Sequence, residues 1–79
     1  MAEGTTQDRV LAVLSVQTGK PAIPLDATFK RDLNFDSLDV VETSVLLEDE
    51  FGMQTTDEEV GQFETVGELV AYMEGRVNG

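Results

Sequence analysis

The chain has 79 residues, of which sixteen are acidic and five are basic, and it contains neither cysteine nor histidine. This length supports one hydrophobic core, so we expect a single domain over residues 1–79, without disulfides, the usual zinc ligands or the commonest general base. The formal net charge of −11 argues against nucleic acid as a partner, because phosphate binding depends on Lys and Arg.

A first helix is predicted to begin near Thr5 or Thr6, whose hydroxyls can cap the first turn, and to end at Gly19. Apolar residues recur along it at intervals of three and four, as on one helical face. These residues are Val10, Leu11, Val13, Leu14 and Val16.

A long connection follows the first helix, from Pro21 to about Asp36, and it shows no sustained period. It nevertheless carries several scattered apolar side chains, which are Ile23, Leu25, Phe29, Leu33 and Phe35. A connection this apolar is predicted to pack across the bundle.

The second helix is the clearest element. Asp36 is its predicted N-cap, with Asp39 completing a capping-box-like arrangement, and Gly52 follows its last residue, Phe51. Its apolar residues fall into two stripes when they are projected at about 100° per residue. One stripe holds Val40, Leu47 and Phe51, and the other holds Leu38, Val41 and Val45. One stripe is predicted to face the core, and the other either lies partly exposed, where it can meet partner proteins, or packs against a neighbouring helix.

A short third helix is predicted to begin at Asp57 and to end near Phe63, with acidic residues in its first turn. Thr65 then caps a last helix from Val66 to about Val77. The predicted fold is all-α, a four-helix bundle with a long first loop and a short third helix.

The acidic residues are concentrated in the second half of the chain, since no basic residue lies between Arg31 and Arg76. This charge should steer that half towards basic surfaces of partner proteins, although solubility alone also accounts for an acidic surface. The first residues lack the pattern of a secretion signal, and no apolar stretch approaches the roughly 20 residues of a membrane span. We therefore expect a cytoplasmic protein.

The segment from Asp32 to Asp39 reads Asp-Leu-Asn-Phe-Asp-Ser-Leu-Asp and leads into an acidic helix that ends in Glu48-Asp49-Glu50-Phe51. Here the chain resembles the acyl carrier protein family of discrete type II fatty acid or polyketide systems. Members of that family have Asp-Ser-Leu at the start of the second helix. The resemblance covers most of the chain, including the entry to the last helix at Thr65-Val66-Gly67-Glu68-Leu69.

The resemblance implies a carrier and not an enzyme. By it, Ser37 is the residue to which a phosphopantetheinyl transferase attaches 4'-phosphopantetheine from coenzyme A, and Asp36 belongs to the recognition motif. The terminal thiol of the arm then holds the acyl group as a thioester. Ser37 needs no activating base of its own, because the transferase supplies the chemistry.

The resemblance also implies a partner-binding face on the second helix. We expect it to meet the transferase, ketosynthase, acyltransferase and other acyl-processing enzymes through their basic patches, in brief, salt-sensitive contacts. This face comprises Leu38, Asp39, Val41, Glu42, Val45, Glu48 and Asp49, with Asp36 beside them. A shuttle with one arm has no need to self-associate, so we expect a monomer.

Family members often shelter the acyl chain in the core, which Phe29, Leu47, Phe51, Phe63, Val66 and Tyr72 are expected to line. Some positions depart from the family pattern. Asn34-Phe35 stands where Gly and a small or aliphatic residue are common, Thr43 and Ser44 occupy positions that are often apolar, and Thr55-Thr56 replaces an aliphatic-Pro pair. We hypothesise that the interior is more polar or less roomy than in a fatty-acid carrier, as suits a polyketide or another specialised cargo.

The sequence is open to three other interpretations. The Asp32-x-Asn34-x-Asp36 spacing resembles the start of a calcium loop, but Ser37 replaces its Gly and Thr43 its closing Glu. A peptidyl or aminoacyl carrier of a nonribosomal system has the same bundle and modified serine, and a noncatalytic adaptor bundle would carry no prosthetic group.

Overall fold

The computed structural model describes residues 4–78, which form four α-helices. They are α1 (Thr6–Thr18), α2 (Ser37–Phe51), α3 (Asp57–Gly61) and α4 (Val66–Asn78). Helix α1 packs against α2 and α4, and α2 packs against α3. The predicted all-α bundle with a long first loop and a short third helix is therefore confirmed.

The ends of α1 and α2 lie at the predicted capping residues. The Thr5 hydroxyl accepts the Asp8 N–H at the start of α1, and Asp36 caps α2. Gly19 and Gly52 end the two helices in the left-handed conformation, at φ 77° and 69°. These ends could be predicted because each depends on bonds between near neighbours in sequence.

The third helix is shorter than predicted. Thr56 caps it, and it ends at Gly61, two residues before the expected end at Phe63. The predicted cap of α4 is confirmed, because the Thr65 hydroxyl accepts the Glu68 N–H while the Glu68 carboxylate accepts the Thr65 N–H.

The core draws buried apolar side chains from all four helices and from the long first loop. They are Val10, Val13, Leu14, Ile23, Ala27, Phe29, Leu33, Leu47, Val60, Val66, Leu69, Val70 and Met73. Of the residues expected to line the core, Phe29, Leu47 and Val66 are buried. Phe51, Phe63 and Tyr72 are partly buried against it.

Val16 ends the apolar pattern of α1 but does not belong to the buried face, since it is 82% exposed. Val16 lies three residues beyond Val13, and this step carries it past the edge of the face that Val10 and Leu14 form. Periodicity alone does not fix where such a face ends.

The first loop packs across the bundle, as predicted, and backbone hydrogen bonds tie it to the start of α4. The Val66 N–H donates to the Ala27 carbonyl at 2.9 Å, and the Gly67 N–H donates to the Leu25 carbonyl at 2.7 Å. A Cβ at Gly67 would lie 3.1 Å from that carbonyl oxygen, so glycine permits the close approach. Leu25 itself is exposed, and at this point the loop contributes its backbone carbonyl to the contact.

The turn that enters α2 contains a left-handed residue. Asn34 has φ 57°, a conformation that glycine adopts without strain and that asparagine tolerates better than most residues. Phe35 follows it and packs against Phe29, with 5.4 Å between the centroids of the two rings. Asn34, which stands where Gly is common in the family, therefore keeps the turn, and Phe35 adds an aromatic contact after it.

We expect Asn34→Val to lower the free energy of unfolding by about 1–2 kcal/mol, because a β-branched side chain is strained in the left-handed region. Asn34→Gly is the matched control and should change stability by less than about 0.5 kcal/mol or raise it. Urea unfolding followed by circular dichroism measures both variants. Equal stability of the two would contradict the conformational argument.

Candidate functional site

Ser37 is the first residue of α2, and its side chain is exposed to solvent. The chain has two other serines, Ser15 in α1 and Ser44 in α2. Ser15 is half-buried and Ser44 is buried. Ser37 is therefore the most exposed of the three serines, as a residue that a modifying enzyme must reach should be.

A reciprocal capping box holds Ser37 in the first turn of α2. The Asp36 carboxylate accepts the Asp39 N–H at 3.0 Å, and the Asp39 carboxylate accepts the Asp36 N–H at 2.9 Å. The bond from the Asp39 N–H lowers the pKa of Asp36, although partial desolvation acts in the opposite direction. An anion attached to Ser37 would lie near the positive end of the helix dipole.

Ser37 opens onto a cleft of about 330 Å³ between α2, α3 and the end of the first loop. Its lining residues are Phe29, Lys30, Phe35, Asp36, Ser37, Val40, Val60, Gly61 and Phe63. Gly61 helps to keep the cleft open, since a Cβ there would already lie 3.5 Å from a Val40 methyl group. The exposed hydroxyl of Ser37 and the largely apolar cleft therefore lie side by side.

A second cleft, of about 520 Å³, adjoins the first and is lined by residues 28–31 and 61–64. The two clefts share Phe29, Lys30, Gly61 and Phe63. Sequence reasoning did not identify Lys30, Val60 or Gly61 as site residues. No local pattern could have done so, because the cleft forms only when the first loop meets α3.

The sequence matches the family model described as "Phosphopantetheine attachment site" over residues 8–73. The chain belongs to this family. The fold is also similar to a solved carrier structure, 3-oxo-butyl-ACP, an intermediate mimic from the actinorhodin polyketide synthase in Streptomyces coelicolor. That similarity has a TM-score of 0.72 at 28% identity and covers 98% of this chain and 94% of the other.

Family membership confirms that the chain is a carrier and not an enzyme, and that its cofactor is phosphopantetheine. It implies a phosphopantetheinyl transferase and processing enzymes as partners. The residues fit the cofactor, because an exposed serine hydroxyl, a helix N-terminus and an adjoining cleft lie together. Within residues 4–78, no helix has the length and hydropathy needed to cross a membrane.

Only some of the residues predicted to form the partner face of the carrier lie exposed on one side of α2. Leu38, Val41 and Val45 are exposed, at 75%, 42% and 52%, and the exposed residues Glu42 and Asp49 lie on the same side of α2. The two remaining acidic residues are engaged elsewhere. Besides its role in the capping box, Asp39 is half-buried, and the half-buried Glu48 accepts the Thr55 N–H at 3.0 Å.

The polar residues that depart from the family pattern lie inside the carrier, where Thr43, Ser44 and Thr55 are buried. Their hydroxyls donate to protein oxygens: Thr43 to the Gln17 side chain and the Asp39 carbonyl, Ser44 to the Val41 carbonyl, and Thr55 to the Met53 carbonyl. The interior is therefore more polar than a hydrocarbon core. Its hydroxyl donors are nonetheless already used within the protein.

A polar cluster fixes α3, which forms one wall of the cleft, against α4. The Tyr72 hydroxyl donates to the Glu59 carboxylate at 2.7 Å, and Arg76 lies 3.5 Å from the same carboxylate. The bond from the Thr56 N–H and that from Tyr72 lower the pKa of Glu59, while the pKa of Tyr72 is raised by its bond to Glu59. The cluster positions a helix that is too short to be stable alone.

The calcium-loop spacing is used for other contacts. The Asp32 carboxylate accepts the Thr28 N–H at 2.7 Å, and Asp36 caps α2. In the part of the chain that the structure describes, no group of three or more acidic side chains is arranged to hold a metal ion.

Lowering the pH is expected to weaken the cap of α2. Because the folded-state pKa of Asp36 lies below its ordinary value of 3.8, its stabilisation is complete above that value and is lost as the pH falls through the folded-state pKa. Amide exchange at the Asp39 N–H measures the loss by NMR. Asn caps a helix as well as Asp does but does not titrate, so Asp36→Asn should abolish this pH response. An unchanged pH response in Asp36→Asn would show that another group causes it.

Proposed function

We propose that the chain is an acyl carrier protein in which Ser37 bears the 4'-phosphopantetheine arm and presents acyl groups to biosynthetic enzymes. The observation that carries the proposal is the exposure of Ser37 at the start of α2, in contrast to Ser15 and Ser44. The family match supplies the cofactor, and this exposure supports Ser37 as the attachment residue.

Each residue at the site has a passive role in this function. Ser37 provides the hydroxyl, Asp36 fixes the turn that presents it, and the helix N-terminus stabilises the phosphodiester that attachment creates. When bound, the arm supplies the thiol that forms the thioester with the acyl group. The cleft beside Ser37 offers the acyl group apolar surroundings between Phe29, Val40 and Phe63.

The cargo proposed here is an oxygenated chain of the polyketide type. The similar solved carrier is described as an intermediate mimic from a polyketide synthase. The buried hydroxyls of Thr43, Ser44 and Thr55 also make the interior more polar than a hydrocarbon core. The carrier would work as a cytoplasmic monomer that moves between separate enzymes.

The exposed face of α2 is the proposed docking surface for those enzymes. Leu38, Val41 and Val45 form an apolar strip beside Glu42 and Asp49. Such a combination suits partners that present an apolar contact ringed by Lys and Arg. Charge would steer the encounter, and the small apolar strip would keep each contact short-lived.

Incubation with coenzyme A and a promiscuous phosphopantetheinyl transferase is expected to raise the intact mass by one phosphopantetheine group. Ser37→Ala should abolish the gain, because it removes the hydroxyl that forms the phosphodiester. Ser15→Ala is the matched control and should gain the same mass as the wild type. A gain in Ser37→Ala, or no gain in the wild type, would overturn the attachment site.

Reversing two charges on the docking surface, with Glu42→Lys and Asp49→Lys together, should slow modification by the transferase about tenfold at low salt. The effect should shrink as ionic strength rises, since exposed charges are screened. Asp26→Lys and Glu58→Lys together form the control, because both residues are exposed, lie outside α2 and line neither cleft beside Ser37. If both pairs slow the reaction equally, net charge and not this face governs docking.

A further inference from the structure

The five basic residues of this acidic chain fall into different surroundings. Arg9 pairs with Glu50 at 2.8 Å, and Arg76 pairs with Glu59. Lys20 lines a separate cleft near the start of the first loop. Lys30 and Arg31 remain, and neither forms an ion pair among residues 4–78.

Both of these cations lie at the two adjoining clefts beside Ser37. Lys30 lines both clefts, and Arg31 lines the larger one. Phe29 and Phe63 contribute apolar walls to both clefts. An acyl group tethered at Ser37 would therefore find apolar walls and two cationic hydrogen-bond donors within the same space.

Two acidic residues line the same clefts, so the formal charges of the four ionisable side chains there balance. Asp36 lines the smaller cleft, but its carboxylate is bonded to the Asp39 N–H. Glu64 lines the larger cleft opposite two cations. The clefts are therefore less negative than this acidic chain as a whole, and neither Lys30 nor Arg31 is held in an ion pair within residues 4–78.

The buried hydroxyls cannot supply the same recognition. Thr43 and Ser44 donate their hydroxyl hydrogens to protein oxygens at distances of 2.6–2.9 Å. A cargo oxygen would have to break those bonds before it gained one. Lys30 and Arg31 can donate to a cargo oxygen without such a loss, and a charged donor makes the stronger bond.

We propose that Lys30 and Arg31 bind a carboxylate of the carried acyl group and thereby favour acyl groups that end in a carboxylate over saturated ones. This inference rests on the proposed function, because the cargo reaches the clefts only from a tether at Ser37. Both side chains belong to exposed residues, so their contribution is modest and screened by salt.

The test compares two six-carbon cargoes on the holo-protein, one saturated and one ending in a carboxylate. NMR contacts between cargo protons and the Phe63 ring, together with the Gly61 amide shift, report occupancy of the clefts. Lys30→Gln with Arg31→Gln should lower the occupancy by the carboxylated cargo about two- to fivefold and leave the saturated cargo unchanged. Lys20→Gln, in the separate cleft, should alter neither, and high salt should reproduce the loss in the wild type.

The outcomes separate this inference from the carrier function. Intact mass is read first, and failure to load the wild type at Ser37 would overturn both. If loading succeeds but the double variant affects both cargoes equally, or neither, the inference is wrong and the carrier function stands. The unloaded holo-protein tests a second source of anion, the phosphodiester of the arm. If its phosphorus resonance moves in the double variant while the variant leaves the cleft occupancy of the two cargoes equally affected, the cations bind the phosphodiester. The assignment to the cargo is then wrong.

Discussion

The reciprocal capping box between Asp36 and Asp39 is the interaction on which the site depends. It fixes the start of α2, so that Ser37 occupies the first helical turn with its side chain in solvent. The left-handed turn at Asn34 and the contact of Phe35 with Phe29 hold the approach to that cap in place. Two local constraints therefore decide where the hydroxyl lies, without any activating group beside it.

The cleft depends instead on tertiary contacts. The short α3 is anchored to α4 through Glu59, Tyr72 and Arg76, and its Gly61 faces α2 without a side chain to fill the gap. A carrier needs this combination of a rigid point of attachment and an adaptable space beside it. Catalytic chemistry is left to partner enzymes, which explains how a chain without Cys or His takes part in acyl transfer.

Much of this arrangement could be predicted from the sequence. The parts that could not be predicted share one cause. Caps at Thr5 and Asp36 were predictable because they join residues three positions apart. Val16 and Leu25 belong to apolar patterns and are nevertheless exposed, since burial depends on where neighbouring elements end. Lys30 gave no local signal, because the cleft that it lines comes from segments about thirty residues apart in sequence.

The most direct test of the attachment site is a phosphorus–proton correlation spectrum of the holo-protein. A phosphodiester on Ser37 predicts coupling between the phosphorus atom and the β-protons of that residue, with the α2 capping box intact. Coupling to any other residue, or a holo-protein whose phosphorus shows no coupling to Ser37, would contradict the central claim that this exposed hydroxyl is the point of attachment.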